Sequence, residues 1–409
     1  MSSSGAAPAP EPSASGGVLA VQAARMTPGP SATAGADLTK FGADLFLADD
    51  KISATGNGSI SPYSVYSALA MTDAGARGST SAQLDALLGG DQQRQAGNIT
   101  AVDAAVAKAI TNSKGAHNGP IVTQAANSLW PDKSLQVSRD FLRQLAIGYA
   151  AQVHLADYTQ DAAGARDAIN AWVSERTHRL IPALLGPGDV TADTRLELVN
   201  ALYLKAAWAK EFKPPSAPAA FTTASGRTVQ TPYLRASSKY AVARGDGWVS
   251  VSIPYIGDGM AMTVLLPDKG AFSKVRGGLA GVLREALATK PAGVVMLSLP
   301  GFALDTRSPL VPALQRLGVR ALFNGADLSG IAGKPGELRV NSVAHQSVVK
   351  VDQYGTEAAA ATGVGVGAVA APGMVDRVNV DRAFFFVIHD TTTKAPLFLG
   401  QVADPTTPA

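Results

Sequence analysis

Apolar positions along this 409-residue chain repeat with two periods. From Ser61-Pro62 through Ala70 they predict a helix, with serine as its cap and proline in its first turn. Residues 162–183 predict a second helix, because Ala165, Ala168, Ile169, Trp172 and Val173 share one face at helical spacing. Residues 195–206 are partly alternating and partly continuous in apolar character, the mark of a buried strand. Shorter strands are predicted at 249–253 and 261–266. Near the end, the apolar runs 384–389 and 396–402 flank a polar stretch from Asp390 to Lys394, which predicts a buried antiparallel hairpin. Helices come first and strands dominate later, so the pattern favours α+β over a doubly wound sheet.

Composition sets the limits of this picture. Residues 1–34 are dominated by Ala, Pro, Ser and Gly and predict a disordered tail, leaving 35–409 as one domain. No internal repeat or second linker divides the rest. A chain of this size buries about three quarters of its extended surface and needs no staples. There is no cysteine, which excludes disulfides and thiol nucleophiles. The net charge is +3, with basic and acidic residues interleaved, so no nucleic-acid partner is expected. No apolar run reaches the ~20 residues that span a bilayer, so no membrane partner is expected. The N-terminus lacks a basic start and apolar core, and so is not a signal peptide as it stands. Absence of cysteine leaves the compartment open, with an extracellular setting as one expectation.

Several kinds of chemistry are missing. His117, His154, His178, His345 and His389 fall in no metal-binding spacing, and no G-x-S-x-G elbow occurs. Gly363, Gly365 and Gly367 superficially suggest a dinucleotide turn, but the third glycine is not at the place that motif needs and the following helix is lacking. Asn57-Gly58-Ser59 and Asn98-Ile99-Thr100 match the glycosylation sequon, a short pattern that arises by chance. No cofactor, no metal and no enzymatic activity are expected.

A set of separated segments, taken in order, is similar to the serpin family. They are Ser61-Pro62-Tyr63-Ser64 with Ala68 to Met71 and Gly75 to Thr80, Ile169 to Val173 with Thr177, and Leu198 to Tyr203 with Lys205 and Trp208. The later ones are Asn324 to Gly330 and Pro396 to Gly400. The resemblance covers residues 36 to 405 and implies an α+β fold of three β-sheets with about nine helices and an exposed reactive loop near the C-terminus. It also implies that Ser61, Ser64, Asn200 and His345 form a polar shutter under the main sheet, with Trp208 at the top where the sheet opens. Some serpins bind polyanions through a basic helix. The corresponding stretch here, 99–110, carries only Asp103 and Lys108 as charges, so no such cofactor site is expected.

The stretch from Gly355 to Pro372 resembles the serpin hinge and reactive loop, set within 353–377. Written as a strand, one face carries Thr356, Ala358, Ala360, Thr362, Val364 and Val366, all small or β-branched. The other carries Glu357, Ala359, Ala361 and the glycines 363, 365 and 367. No proline interrupts the run before Pro372, so every amide can join a ladder. Such a segment can enter a sheet after cleavage. A plain linker would need neither the two-face alternation nor the valines. Gln353 departs from the family, which usually has an acidic residue there, and Tyr354 stands where a polar residue is common. The family register places the scissile bond at Val369-Ala370, with Ala370-Ala371 and Met374-Val375 as alternatives. A small apolar side chain there implies an elastase-like or subtilisin-like serine protease as partner, met by a monomer. The competing expectation is a non-inhibitory binding or carrier protein on the same scaffold.

Overall fold

The chain's fold, taken from a computed structural model, is described for residues 13–15, 17–116, 119–356 and 376–407. Among these residues there are nine α-helices, one short 3-10 helix (Ala321–Phe323) and eighteen strands in three sheets. The helices are α1 (Ser31–Ala48), α2 (Pro62–Asp73), α3 (Gly78–Leu88), α4 (Gln92–Asn112), α5 (Arg139–Tyr149), α6 (Tyr158–Arg176), α7 (Phe272–Gly277), α8 (Leu279–Ala286) and α9 (Val311–Arg316).

The main sheet contains β1 (Ser13–Ser15), β2 (Val18–Ala20), β4 (Val122–Pro131), β5 (Val153–His154), β6 (Leu196–Ala207), β13 (Phe302–Pro309), β14 (Ser342–Val351) and β15 (Gly355–Thr356). Its order is β1-β2-β5-β4-β6-β15-β14-β13. The second sheet contains β3 (Gly58–Ile60), β9 (Tyr233–Gly245), β10 (Trp248–Pro254), β11 (Met260–Pro267), β12 (Lys290–Pro300), β16 (Asp376–Asn379), β17 (Phe384–Asp390) and β18 (Pro396–Val402). A two-stranded ribbon, β7 (Ala219–Thr222) and β8 (Thr228–Thr231), makes the third.

The predicted hairpin is β17 and β18, paired antiparallel, and every residue of both is buried. Burial on both faces explains their near-continuous apolar character. Helix α2 begins as expected, with the Ser61 side chain accepting from the Ser64 amide and Pro62 in the first turn. It is buried almost all round, between α1, the hairpin and the main sheet. Its polar residues must therefore find partners inside the protein. Helix α6 lies on the opposite face of the main sheet, where Ile169 and Val173 pack with Ala126, Val199, Ala201 and Val348.

Two sequence expectations are corrected. The second helix starts at Tyr158 and stops at Arg176, not 183, because His178 and Arg179 take left-handed backbone conformations (φ 50° and 66°). The tail is shorter than 1–34, since Val18–Ala20 forms a strand between β1 and β5 and α1 starts at Ser31. The linking segment is held by Arg25, whose guanidinium sits 2.6 Å from Asp103 of α4, and by the Met26 amide, which donates to the Ile147 carbonyl. Both sequon asparagines have internal duties. Asn98 is buried and donates to Asp37 and the Tyr66 hydroxyl, and Asn57 donates to the Asp404 carbonyl.

Candidate functional site: an incomplete seam in the main sheet

The centre of the main sheet is a seam between β6 and β14, which run parallel. Outside it, β6 is paired along ten residues of β4 and β14 along eight of β13. The seam itself is closed only at one end, from Glu197–Ser342 to Ala201–Gln346. At the other end Gly355 and Thr356 sit between the two strands, antiparallel to both. Thr356 lies opposite Ala206 on one side and Val351 on the other. A parallel pair with a third strand entering at one end is a sheet with room for another strand.

The entry is fixed by a tight reversal at Asp352–Gly355. The Asp352 carboxylate accepts from the Tyr354 and Gly355 amides at 2.7 and 3.1 Å, and its own amide donates to the Gly355 carbonyl. Trp208, predicted for the top of the sheet, donates its indole N–H to the Asp352 carbonyl at 3.0 Å and stacks on Tyr255 at 4.6 Å. The Trp208 and Phe212 amides donate to the carbonyls of Tyr354 and Gln353. Gln353 is thus held through its backbone, and Asp352 next to it supplies an acidic anchor. Sequence reasoning missed Asp352 because its role depends on the chain reversing there. Gly355 is required for close approach: a Cβ would meet the Ala206 carbonyl oxygen at 2.1 Å. Thr356 is buried, and its hydroxyl lies 2.6 Å from that of Tyr255, so its face of the strand points into the core. Burial raises the Tyr255 phenol well above its ordinary range, which keeps it protonated.

Beneath the sheet, the structure brings Ser61, Ser64, Asn200 and His345 close together. The Ser61 amide donates to His345 Nε2 at 3.0 Å, so the ring proton is on Nδ1, which donates to Asn200 Oδ1 at 2.6 Å. Ser64 Oγ donates to Asn127 Oδ1, and Asn127 lies opposite Asn200 on β4. The Ser59 and Ser347 hydroxyls pair at 2.9 Å, and the Ser59 amide donates to Thr306 Oγ1. Two polar clusters, joined through the backbone from Ser59 to Ser61, therefore tie β3 and α2 to β4, β6, β14 and β13. Asn127, Ser59, Ser347 and Thr306 were missed. Ser59 alternates with Ser61, a signal that both face one way. The Asn200 amide nitrogen is buried with no partner. Glu197, at the closed end, accepts from Ser342, and burial pushes its carboxyl up to about 8.

Burial pushes His345 down to about 4, so the ring is neutral at pH 7. Its folded value lies below its unfolded value near 6.5, so its contribution is present above ~6.5 and is lost as pH falls toward 4. The stability advantage of the wild type over His345→Gln is expected to shrink across that window. Melting curves of both proteins at pH 7, 5.5 and 4.5 check this. A constant difference would mean that the histidine is not held neutral.

Val369, Ala370, Ala371 and Met374, and the hinge residues Glu357, Ala358, Ala359, Ala360, Ala361 and Thr362, lie outside the described residues.

The arrangement defines a class: an α+β protein whose main sheet has an incomplete central seam, with a hinge from the same chain already at its mouth. Residues 36–405 match the family model described as Serpin (serine protease inhibitor). Leukocyte elastase inhibitor of Bos taurus is 35% identical over 384 residues, covering 90% of this chain and 98% of that protein. Serpin-Z7 of Hordeum vulgare is 31% identical over 379 residues, covering 90% and 95%. A native thermophilic serpin, tengpin, superposes with a TM-score of 0.79 over 94% of this chain and 97% of that one, and at 24% identity speaks to the fold alone. The chain belongs to the serpin family.

Proposed function

We propose that this serpin is a suicide-substrate inhibitor of elastase-like or subtilisin-like serine proteases. The observation that carries the reading is the seating of Gly355 and Thr356 between β6 and β14. Continued residue for residue, that antiparallel register sets Thr362 between Asn200 and His345. It sets Gly365 between Glu197 and Ser342, where a side chain facing α6 would be crowded. The small and β-branched face then enters the core behind Thr356, and the Thr362 hydroxyl reaches the level of the unpartnered Asn200 amide. A protease that cuts the Val369-Ala370 bond forms an acyl-enzyme on Val369. Insertion of the freed segment drags that enzyme along the sheet and pulls its catalytic groups out of register, so water no longer completes the reaction. The name of the bovine relative is consistent with an elastase-like target.

Incubation with pancreatic elastase or subtilisin, followed by a denaturing gel, tests this. A covalent band at the summed mass is expected. Clean cleavage without a band would favour the carrier reading.

Val369→Arg is expected to lose at least tenfold in its rate against elastase and gain at least a hundredfold against trypsin, since arginine fills a deep acidic pocket. Mass spectrometry of the released C-terminal fragment should find Ala370 at its start. A fragment beginning elsewhere would move the bait to one of the neighbouring bonds.

A further inference from the structure

The closed end of the seam carries a buried acid. Glu197 of β6 and Ser342 of β14 stand opposite each other, and the Ser342 hydroxyl donates to one carboxyl oxygen of Glu197. Glu197 is fully buried, and its other oxygen has no hydrogen-bond partner. Alternation along β6 puts it on the face of Val199 and Ala201, which pack with Ile181, Leu184 and Val190 of the segment after α6. A carboxyl group in such an apolar layer, with a single donor, is a rare way to fill a strand position.

The surroundings do little to hold a negative charge there. Asp189, in the segment after α6, repels a carboxylate and is itself paired with Arg307 of β13 at 2.6 Å. On β4, Trp130 lies opposite Glu197, and the Tyr158 hydroxyl of α6 donates to the Trp130 carbonyl. Burial raises the Tyr158 phenol well above its ordinary range, so it stays neutral. Asp132, just past β4, accepts from the Ser134 and Tyr158 amides. The Arg195 guanidinium, just before β6, donates to the carbonyls of Ala192 and Thr194. Burial, opposed by the Ser342 bond and reinforced by Asp189, leaves Glu197 protonated at pH 7 and ionised only above about 8. A cleft of about 460 Å³, lined by Gly186, Asp189, Arg307 and Ser342, gives the proton a route to water.

We propose that Glu197 couples strand insertion to protonation: the closed end of the seam parts readily with a proton on Glu197 and resists parting without one. The inference rests on the suicide-substrate reading, in which the register continued from Thr356 sets Gly365 between Glu197 and Ser342. Neighbouring strands lie about 4.8 Å apart, so the new strand carries Ser342 that much further away. Glu197 then loses its donor and gains a neighbour with no side chain. A neutral carboxyl bears that loss at modest cost, whereas a buried carboxylate left without a donor is far more costly. Insertion therefore tightens the acid's hold on its proton, and above about pH 8 a proton is taken up as the strand enters. The driving force for insertion falls as pH rises further. On this account the protein traps proteases best at neutral or mildly acidic pH and serves more as a substrate in alkaline surroundings.

Glu197→Gln keeps the shape and the acceptor for Ser342 but cannot titrate, which makes it the control. In infrared difference spectra of the full-length protein, wild type minus Glu197→Gln, a protonated-carboxyl band is expected at pH 7 and should be gone at pH 9.5. Absence of the band at pH 7 would overturn the proposal. Both proteins are then melted intact and after cleavage in the reactive loop. The rise in melting temperature on cleavage should shrink by a few degrees between pH 7 and 9.5 in the wild type and stay constant in Glu197→Gln. The inhibitor consumed per elastase trapped should rise at least twofold over the same range, again in the wild type alone. Equal pH dependence in the two proteins, or none in the wild type, would overturn the coupling. If cleavage raises the melting temperature of neither protein at any pH, insertion itself fails and the coupling with it, while the band at pH 7 still reports the proton on Glu197.

Discussion

Thr356→Arg is expected to turn the protein from an inhibitor into a substrate. Thr356 is the residue already inside the seam, buried between Ala206 and Val351 with its hydroxyl on Tyr255. An arginine there places a guanidinium in a pocket whose polar neighbour is a neutral phenol. Among the described residues, the partners of Thr356 on either side and beneath it, Ala206, Val351 and Tyr255, offer no carboxylate to pair with it. Burying an uncompensated charge costs several kcal/mol even after relaxation, more than one pair of backbone hydrogen bonds returns. The hinge should leave the sheet, and insertion should stall at its first residue. Cleavage by the protease should be unaffected, because the bait lies thirteen residues further along. On this account, the covalent band falls at least tenfold while the cleaved fragment accumulates at the wild-type rate. Thr356→Val keeps the shape and loses only the Tyr255 bond, so it should retain most of its trapping. Full trapping by the arginine variant would mean that the opposite face of the hinge enters the core.

Some parts of this arrangement were legible in the sequence because their causes are local. The α2 start is written in Ser61-Pro62, and the hairpin in two apolar runs around a polar turn. The hinge was assigned by resemblance to the family, and the alternation of small side chains after Gly355 is compatible with a strand; of it, Gly355 and Thr356 form β15. Other parts depend on register between distant segments. Strand β4 opens Val122-Thr123-Gln124-Ala125-Ala126-Asn127-Ser128, which has no apolar alternation, although it pairs with ten of the twelve residues of β6. It is a strand because β6 and the helices on either side need it, and its Asn127 enters the polar network only through that pairing. Residues 17–30 read as tail because their partners, Asp103, Ile147 and Val153, lie far along the chain. The shutter residues came from family resemblance. Their joint role needs three elements, α2, β6 and β14, to converge, and no spacing within one segment encodes that.

The central claim is that the native sheet is short of one strand and gains it on cleavage. On the proposed mechanism, the intact chain would be held by a kinetic barrier rather than at its most stable arrangement. After the bait is cut, residues 356–366 would extend the seam and add on the order of ten backbone hydrogen bonds, each contributing about 1 kcal/mol net. The shorter parallel contact between β6 and β14 is given up, and the Thr362, Val364 and Val366 side chains are buried in exchange. The balance favours the cleaved form by up to roughly 10 kcal/mol, which corresponds to a rise in melting temperature on the order of 10 °C for a domain of this length. An ordinary globular protein cut in a loop melts at the same temperature or lower. Thermal melts of the intact and the bait-cleaved protein, side by side in one buffer, give the most direct test. The account predicts a clearly higher transition for the cleaved protein, and an equal or lower one would contradict it.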